Sequence, residues 1–337
     1  MALARALLLC ALATAPAGEG LLVLAKSSRE ALLVDVSTLA TRTTFPTGEG
    51  PHEVAVSPDG RRAYVTNYGL HGVFRPGEKP AGDPGSTVTV LDLGAGTVAG
   101  TFELGSQAKP HGVAVSRDGS RLWVTCEGQQ AVVELDARDG TRLRTWATGQ
   151  AVSHMLVATP DDRKLYVASI GSGTVTVIDR ASGATSVIPS GDGTEGIDVT
   201  PDGREVWATN RGAGTITVID TGTDRVVATV SSGGAMPIRV RFAPSGKEAW
   251  VSNARSNAVV VLDVASRRPL ASVRVGAMPV GLVISPDGKR VFVAATNSNQ
   301  VFVIDAARRA VVTSFRPGEE PDGMAWAWAP SAPGKKR

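Results

Sequence analysis

A short turn recurs along this chain at nearly constant spacing. Its first copy spans residues 57–60, and the positions equivalent to its last residue are 60, 119, 162, 203, 246 and 288. The intervals of 59, 43, 41, 43 and 42 residues are typical of a four-stranded propeller blade. One structural unit is therefore copied many times within a single domain.

Each turn separates two short apolar strands, and a third strand follows that ends on an aspartate. Apolar and β-branched residues alternate over four to six positions, as expected for antiparallel strands. We expect the aspartates to form Asx-turns with backbone amides two residues further on. The seven aspartates are Asp35, Asp92, Asp136, Asp179, Asp220, Asp263 and Asp305. The pattern predicts an all-β fold, a seven-bladed β-propeller of four-stranded antiparallel blades.

The two ends of the chain carry complementary strands. The N-terminal strand at 21–25 matches the second strand of the repeat, and the C-terminal strand at 323–328 matches the first. We therefore expect one blade to be assembled from both termini, as an N/C-terminal clasp that removes exposed sheet edges. The predicted propeller spans residues 18–330, and 331–337 form a tail.

A large ring occupies the second strand of most repeats. We expect these rings to fill the wedges between blades, because burial of large apolar area stabilises such an interface. They are Tyr64, Trp123, Tyr166, Trp207, Trp250 and Phe292.

The second strands also carry a family signature. The segment at 64–67, with variants at 207–210 and 250–253, resembles the YVTN family of seven-bladed β-propeller repeat proteins. That resemblance implies the fold over nearly the whole chain and leaves the activity open. The Pro-His dipeptides at 51–52 and 110–111 are similar to those of lactonase-type propellers, although a full catalytic set is not matched.

The N-terminal residues predict export. Residues 1–17 combine an early arginine, an apolar run and a small-residue cleavage site, the pattern of a signal peptide. No later segment has the roughly 18 apolar residues needed to cross a bilayer. The expected location is periplasmic or secreted, with no membrane span and with partners outside the cytoplasm.

Charge and cysteine content exclude several function classes. With 35 basic and 32 acidic residues the formal charge is only +3, which does not favour nucleic-acid binding. Cleavage after residue 17 would leave Cys126 as the only thiol, so no internal disulfide is expected. The absence of a Cys-x-x-Cys-His segment argues against covalent haem.

The residues at the first positions of the innermost strands differ from blade to blade, and this difference is informative about function. In a closed propeller these positions gather at one mouth of the central channel, so equivalent residues of neighbouring blades converge. Around the circle they are Asp322, His52, His111, His154, Glu195, Ile238 and Val280. The sequence therefore predicts a transition-metal site formed by His52, His111, His154, Glu195 and Asp322, because imidazole and carboxylate are the ligands such ions prefer.

The identity of the metal is left between copper and zinc. Four methionines, Met155, Met236, Met278 and Met324, lie within two residues of the same positions, and thioether sulfur favours copper. Methionine also fills irregular apolar gaps, so packing is the competing interpretation. The histidines have a competing interpretation as well, since repeat duplication would copy a side chain that merely bonds the adjoining blade.

Further ligand-binding residues are expected around this mouth. An insertion at about 68–86 lengthens the loop between two strands and carries His71. Long loops on a rigid scaffold are frequent ligand contacts, so this one is a candidate lid; a tolerated surface excursion is the equally good alternative. Other candidates at the ends of second strands are Asn210, Arg211, Asn253 and Arg255.

Three functions remain open at this point. The first is an exported binding or accessory protein that holds a transition metal or a polar small molecule at the channel mouth. The second is a metal-assisted lyase or lactonase, in which a histidine moves a proton. The third is a protein-interaction scaffold with an inert channel.

Overall fold

The computed structural model describes residues 19–69, 82–106 and 108–327, which form seven four-stranded antiparallel sheets. Strands are numbered β1 to β28 in chain order. Blade 1 has the order β28-β1-β2-β3, and blades 2 to 7 follow with four consecutive strands each. The seven-bladed propeller and its N/C-terminal clasp are confirmed.

The innermost strands line the channel, and each contacts the innermost strand of the next blade, including β28 with β4. They are β4 Pro51–Val56, β8 Pro110–Val115, β12 Ser153–Ala158, β16 Thr194–Val199, β20 Pro237–Phe242, β24 Pro279–Ile284 and β28 Pro321–Ala327. The second strands are β1 Gly20–Ala25, β5 Arg62–Asn67, β9 Arg121–Cys126, β13 Lys164–Ser169, β17 Glu205–Asn210, β21 Glu248–Asn253 and β25 Arg290–Ala295.

The fourth, outermost strand of each blade is more exposed than the other three. The third strands are β2 Glu30–Asp35, β6 Thr87–Asp92, β10 Ala131–Asp136, β14 Thr174–Asp179, β18 Thr215–Asp220, β22 Ala258–Asp263 and β26 Gln300–Asp305. The fourth strands are β3 Thr41–Pro46, β7 Thr97–Glu103, β11 Arg142–Ala147, β15 Thr185–Pro189, β19 Arg225–Ser231, β23 Pro269–Arg274 and β27 Ala310–Phe315. Single 3₁₀ turns follow three second strands, at Glu127–Gln129, Ala254–Ser256 and Thr296–Ser298.

Every third strand ends on the aspartate that the sequence predicted. Asp136 accepts a hydrogen bond from the amide of Arg138, two residues on, as expected. Asp92, Asp179 and most of the other aspartates instead accept a hydrogen bond from the backbone amide three residues further on. The aspartates therefore hold turns, with a wider span than predicted.

Large rings fill the wedges between blades. Trp123, Trp207 and Trp250 are completely buried, and the hydroxyl of Tyr64 donates to the carbonyl of Ala137 in the next blade at 2.7 Å. Removing such a ring from water stabilises the fold by about 4 kcal/mol at ~25 cal/mol per Å² of apolar area. The inter-blade cores therefore hold the innermost strands in fixed positions around the channel.

Two predicted segments lie outside the described residues. They are the signal peptide at 1–17 and the tail at 331–337, and the middle of the insertion, 70–81, lies outside as well. In the part of the chain that the structure describes, no helix has the length and apolar character required to cross a membrane.

Candidate functional site

A register shift at the start of each innermost strand aims side chains into the channel. In β4, Pro51 pairs with Asn67 and Val54 pairs with Val65, so two residues oppose the single Thr66 of β5. Bulges of this kind re-aim side chains. The two residues are His52 and Glu53, and both are buried.

Neighbouring blades are tied together at this level. The hydroxyl of Thr66 donates to the carbonyl of His111 at 2.6 Å, and the hydroxyl of Thr125 donates to the carbonyl of His154 at 2.6 Å. Threonine hydroxyls therefore make the hydrogen bonds to the main chain of the next blade. The histidine rings are not needed for that contact and face the channel.

The three imidazole rings come together at the channel mouth. Ring centroids of His52 and His111 lie 4.1 Å apart, and those of His111 and His154 lie 3.5 Å apart. Tyr68, which follows β5, meets the edges of His52 and His111 at 5.4 and 5.7 Å. Cyclic symmetry therefore brings these distant residues into direct contact.

His154 is the charged member of the group. Its Nδ1 lies 2.5 Å from Glu127 Oε1 and its Nε2 lies 3.5 Å from Glu195 Oε1. Burial disfavours an imidazolium, but these two carboxylates raise the pKa of His154 to about 9. Glu127 also accepts a hydrogen bond from the hydroxyl of Tyr68 at 2.7 Å, and Arg211 pairs with Glu195 at 3.1 Å.

His52 and His111 are neutral. Burial lowers the pKa of His52 to about 3, although the nearby Asp322 acts in the opposite direction. Burial, and after it the charge of His154, holds the pKa of His111 well below 6.5. The contact of the His111 ring with the main chain of His154 raises this pKa, but by less. Neither ring nitrogen of His111 has a hydrogen-bond partner of acceptable geometry.

Asp322 completes this side of the mouth. It accepts a hydrogen bond from Lys26 Nζ at 2.6 Å and lies 3.3 Å from His52 Nδ1. The angle at His52 is not that of a hydrogen bond, so this nitrogen is close to a negative charge without being bonded to it. Burial disfavours the carboxylate, but Lys26 and His52 lower the pKa of Asp322 nonetheless.

An ion pair lies beside the histidines. Glu53 in blade 2 pairs with Arg239 in blade 6, and both side chains are buried. Because these blades are three apart around the circle, the pair spans the channel. Burial lowers the pKa of Arg239 to about 10, still far above neutrality.

The remaining arc of the mouth is apolar. Ile238 and Val280 pack with Ala254, Met236 and Met278 in one small cluster. The other two methionines, Met155 and Met324, lie in the inter-blade cores. All four thioethers therefore contact apolar side chains.

The ligand atoms of two groups are close enough together to hold a metal ion. The first group is His52, Glu53 and His111, and the second is His111, Glu127 and His154; within each, the ligand atoms lie within 4.8 Å of one another. Among the described residues, no such group includes Glu195 or Asp322. The predicted histidines thus come together, with Glu53 and Glu127 as the carboxylates beside them.

The predicted rim residues differ in their placement. Arg211 reaches the cluster through Glu195, whereas Arg255 is exposed on a 3₁₀ turn. Asn210 is occupied by Thr194, Thr215 and Thr217, and Asn253 is held by Ser232. His71 lies outside the described residues. Beneath the rim, burial raises the pKa of the Cys126 thiol to about 12, which keeps it from acting as a thiolate.

Five site residues were missed from the sequence: Lys26, Glu53, Tyr68, Glu127 and Arg239. Three of them immediately follow a second strand, at the rim where the sequence already placed candidate ligands. A systematic list of the residues one position beyond each second strand would have found Lys26, Tyr68 and Glu127. Glu53 and Arg239 are paired by the bulge and by the ring geometry, which spacing along the chain does not reveal.

Comparison with known proteins identifies the family. A family model described as lactonase, 7-bladed β-propeller, matches residues 35–269. The chain belongs to that family. The resemblance to YVTN repeat proteins predicted the same fold, while the match lies with the lactonase family that the Pro-His dipeptides resemble. No protein of curated function matches the sequence significantly.

Solved structures of lactonase propellers and of other proteins share the fold. The periplasmic gluconolactonase of Pseudomonas aeruginosa is 20% identical with a TM-score of 0.72, covering 93% of this chain and 99% of its own. A putative 6-phosphogluconolactonase from Bacteroides fragilis is 14% identical with a TM-score of 0.73, covering 92% and 98%. Kuenenia stuttgartiensis hydrazine synthase is 22% identical with a TM-score of 0.70, covering 84% and 91%. At these identities the likeness shows the fold alone.

Proposed function

We propose that this lactonase-family propeller hydrolyses a small lactone at the channel mouth. The observation that carries the proposal is the contact of three imidazoles in two protonation states, with His154 charged and His111 neutral and unpartnered. Adjacent acid and base forms of one side-chain type are what proton transfer requires. Family membership supplies the reaction class, and gluconolactonases are among the proteins that share its fold.

Opening a lactone requires a nucleophile and a proton donor. Water adds to the carbonyl carbon, the ring C–O bond breaks, and the electron pair goes to the ring oxygen, which takes up a proton. The product is a hydroxy acid. A neutral imidazole nitrogen can take the proton from water itself, or it could hold a metal ion that would lower the pKa of the water, whose proton then passes to a base.

The described residues divide these tasks. His154 is held as an imidazolium by Glu127 and Glu195, so it stabilises negative charge on the substrate and supplies a proton to the ring oxygen. His52 and His111 provide the lone pairs for water activation. Tyr68 and Arg211 are partly exposed and are the side chains that a substrate entering the mouth meets first.

A lactone screen with matched variants tests the proposal. Acid release is followed from glucono-1,5-lactone and from five- and six-membered aldonolactones, with wild type and His154→Gln. We expect turnover by wild type and a fall in kcat/KM of about 10²–10⁴ in the variant, the usual contribution of general acid–base catalysis.

The control substitution is made at Arg61, at the opposite end of the innermost strands from the histidines. Arg61 is exposed in the turn after β4, about 20 Å from the mouth at ~3.3 Å per residue. Arg61→Ala is expected to keep wild-type kcat/KM. Equal rates in wild type and His154→Gln with every hydrolysed lactone would rule out catalysis at this site.

Binding without turnover is the second candidate. It is favoured by the burial of His111, which is only 1% exposed and therefore better placed to hold a ligand than to meet bulk water. Calorimetry with a non-hydrolysable lactam analogue separates the two. Tight binding of the lactam without hydrolysis of the matching lactone would select the binding role.

We also propose that the protein is exported. The predicted signal peptide at 1–17 supports this, and one protein of the same fold is named a periplasmic gluconolactonase. Fractionation of a bacterium expressing the full chain should recover it from the periplasm or the medium. A version lacking residues 2–17 should stay in the cytoplasm, and equal distribution of the two would contradict export.

A further inference from the structure

We infer that His52, Glu53 and His111 form a binding site for one Zn²⁺ ion. The ligand atoms of these residues lie within 4.8 Å of one another, and all three side chains are at least nine-tenths buried. Tetrahedral ligands at about 2.1 Å from an ion lie roughly 3.4 Å apart, so each ligand–ligand distance has to shorten by at most about 1.4 Å on binding. The bulge in β4 supplies two of the ligands from adjacent positions.

The unpartnered nitrogens point to a ligand at this position. His111 is buried and both of its ring nitrogens lack a hydrogen bond, and His52 Nδ1 lacks one too. A buried polar atom without a partner costs about 1–3 kcal/mol, so native proteins rarely keep several together. An ion that takes one lone pair from each ring removes part of that cost.

The contacts around the two candidate groups agree with this assignment. His154 is already bonded to two carboxylates, so the second group of His111, Glu127 and His154 is less suited to take up an ion. Glu53 binds the ion through its carboxylate while Arg239 holds that carboxylate in place.

The ligand set suits zinc. Two imidazoles and one carboxylate with an open fourth position are the ligands of catalytic zinc sites. Thioether ligation, the sequence argument for copper, finds no support in the packing of the four methionines against apolar side chains.

The ion's part in lactone hydrolysis rests on the proposed function, but its binding does not. The test is therefore made without substrate. Purified full-length protein is stripped with a chelator, dialysed and titrated with Zn²⁺ by calorimetry, and Co²⁺ is added separately to follow ligand-field absorption. We expect one ion per chain and a Co²⁺ spectrum of four- or five-coordinate geometry.

Four variants locate the site. His52→Gln, His111→Gln and Glu53→Gln should each weaken Zn²⁺ binding by about 100-fold or more, since even residues behind the ligands change affinity 10–100-fold. His154→Gln is the matched control, with the same substitution one blade further on, and should retain affinity within about tenfold. Circular dichroism and thermal unfolding of each metal-free variant show whether it folds.

Two results would overturn the inference. One is the absence of stoichiometric Zn²⁺ or Co²⁺ binding by folded wild type. The other is a loss of affinity in His154→Gln as large as that in His52→Gln, which would move the ion to the second group. Zinc binding without lactone turnover would refute only the proposed function, and turnover that survives complete metal removal would refute only a role for the ion.

Discussion

Glu53 and Arg239 lie 186 positions apart in the sequence and form a buried ion pair across the channel. Arg239 Nη1 is buried without a hydrogen-bond partner, so the pairing with Glu53 leaves one guanidinium nitrogen unsatisfied. The pair links two blades that are not neighbours in the ring. It therefore joins opposite sides of a fold in which most contacts are between adjacent blades.

Removing one partner of this pair should be costly. Arg239→Leu leaves the Glu53 carboxylate buried without its cation, and we expect a loss of about 3–5 kcal/mol in the free energy of unfolding. Urea unfolding of the metal-free protein measures it. Adding Glu53→Gln should recover at least half of that loss, because the stranded charge is removed. Equal or greater destabilisation in the double variant would show that the side chains stabilise the ring independently.

Two glycines should respond oppositely to the same substitution. A Cβ at Gly281 would lie 2.0 Å from the carbonyl oxygen of Asp322 in the next blade, whereas a Cβ at Gly100 meets nothing within 4 Å. We expect Gly281→Ala to destabilise the protein by about 2 kcal/mol or more through overpacking of backbone against backbone. Gly100→Ala should be neutral or stabilising by up to ~1 kcal/mol, since glycine weakens a strand interior. Similar unfolding midpoints for the two variants would contradict the close approach of the blades.

The repeated turns should make stability depend on pH in the acid range. The Ser116 hydroxyl donates to Asp118 at 2.6 Å, and this bond, with those from Ser120, lowers the pKa of Asp118 to about 2. A depressed folded pKa gives stability that is fully present above the unfolded value near 3.9 and is lost as the pH falls towards 2. Asp118→Asn should therefore be less stable than wild type above pH 4, and the difference should shrink between pH 4 and 2. Chemical denaturation at several pH values checks this, and a constant difference would contradict it.

Two arginines at the rim offer a matched pair for substrate charge. Arg211 reaches the cluster through Glu195, while the side chain of Arg255 is exposed on the following blade. For a lactone that carries a carboxylate or phosphate, Arg211→Ala should raise KM about tenfold with little change in kcat, because uniform binding is lost. Arg255→Ala should leave both constants unchanged. The reverse order of effects would place the anion-binding edge elsewhere on the rim.

The fold was predictable because every blade repeats the same local signals. Turn glycines such as Gly60 and strand-ending aspartates such as Asp35 report strand limits from only a few residues of sequence. Counting back from those turns also located His52, His111 and His154 correctly at one mouth.

The residues that contact those histidines were harder to predict from the sequence. Glu53 follows His52 directly, so strict strand alternation would turn it away from the channel, and only the bulge opposite Thr66 brings both into it. Glu127 reaches His154 from a neighbouring blade, across a contact that depends on the angle between sheets. Such pairings follow from the closed ring rather than from any local pattern.

The clasp has a consequence for folding. Lys26 and Asp322 lie 296 positions apart and meet only when β28 pairs with β1. Since Asp322 borders His52, a propeller in which the last strand has not yet docked lacks the complete mouth.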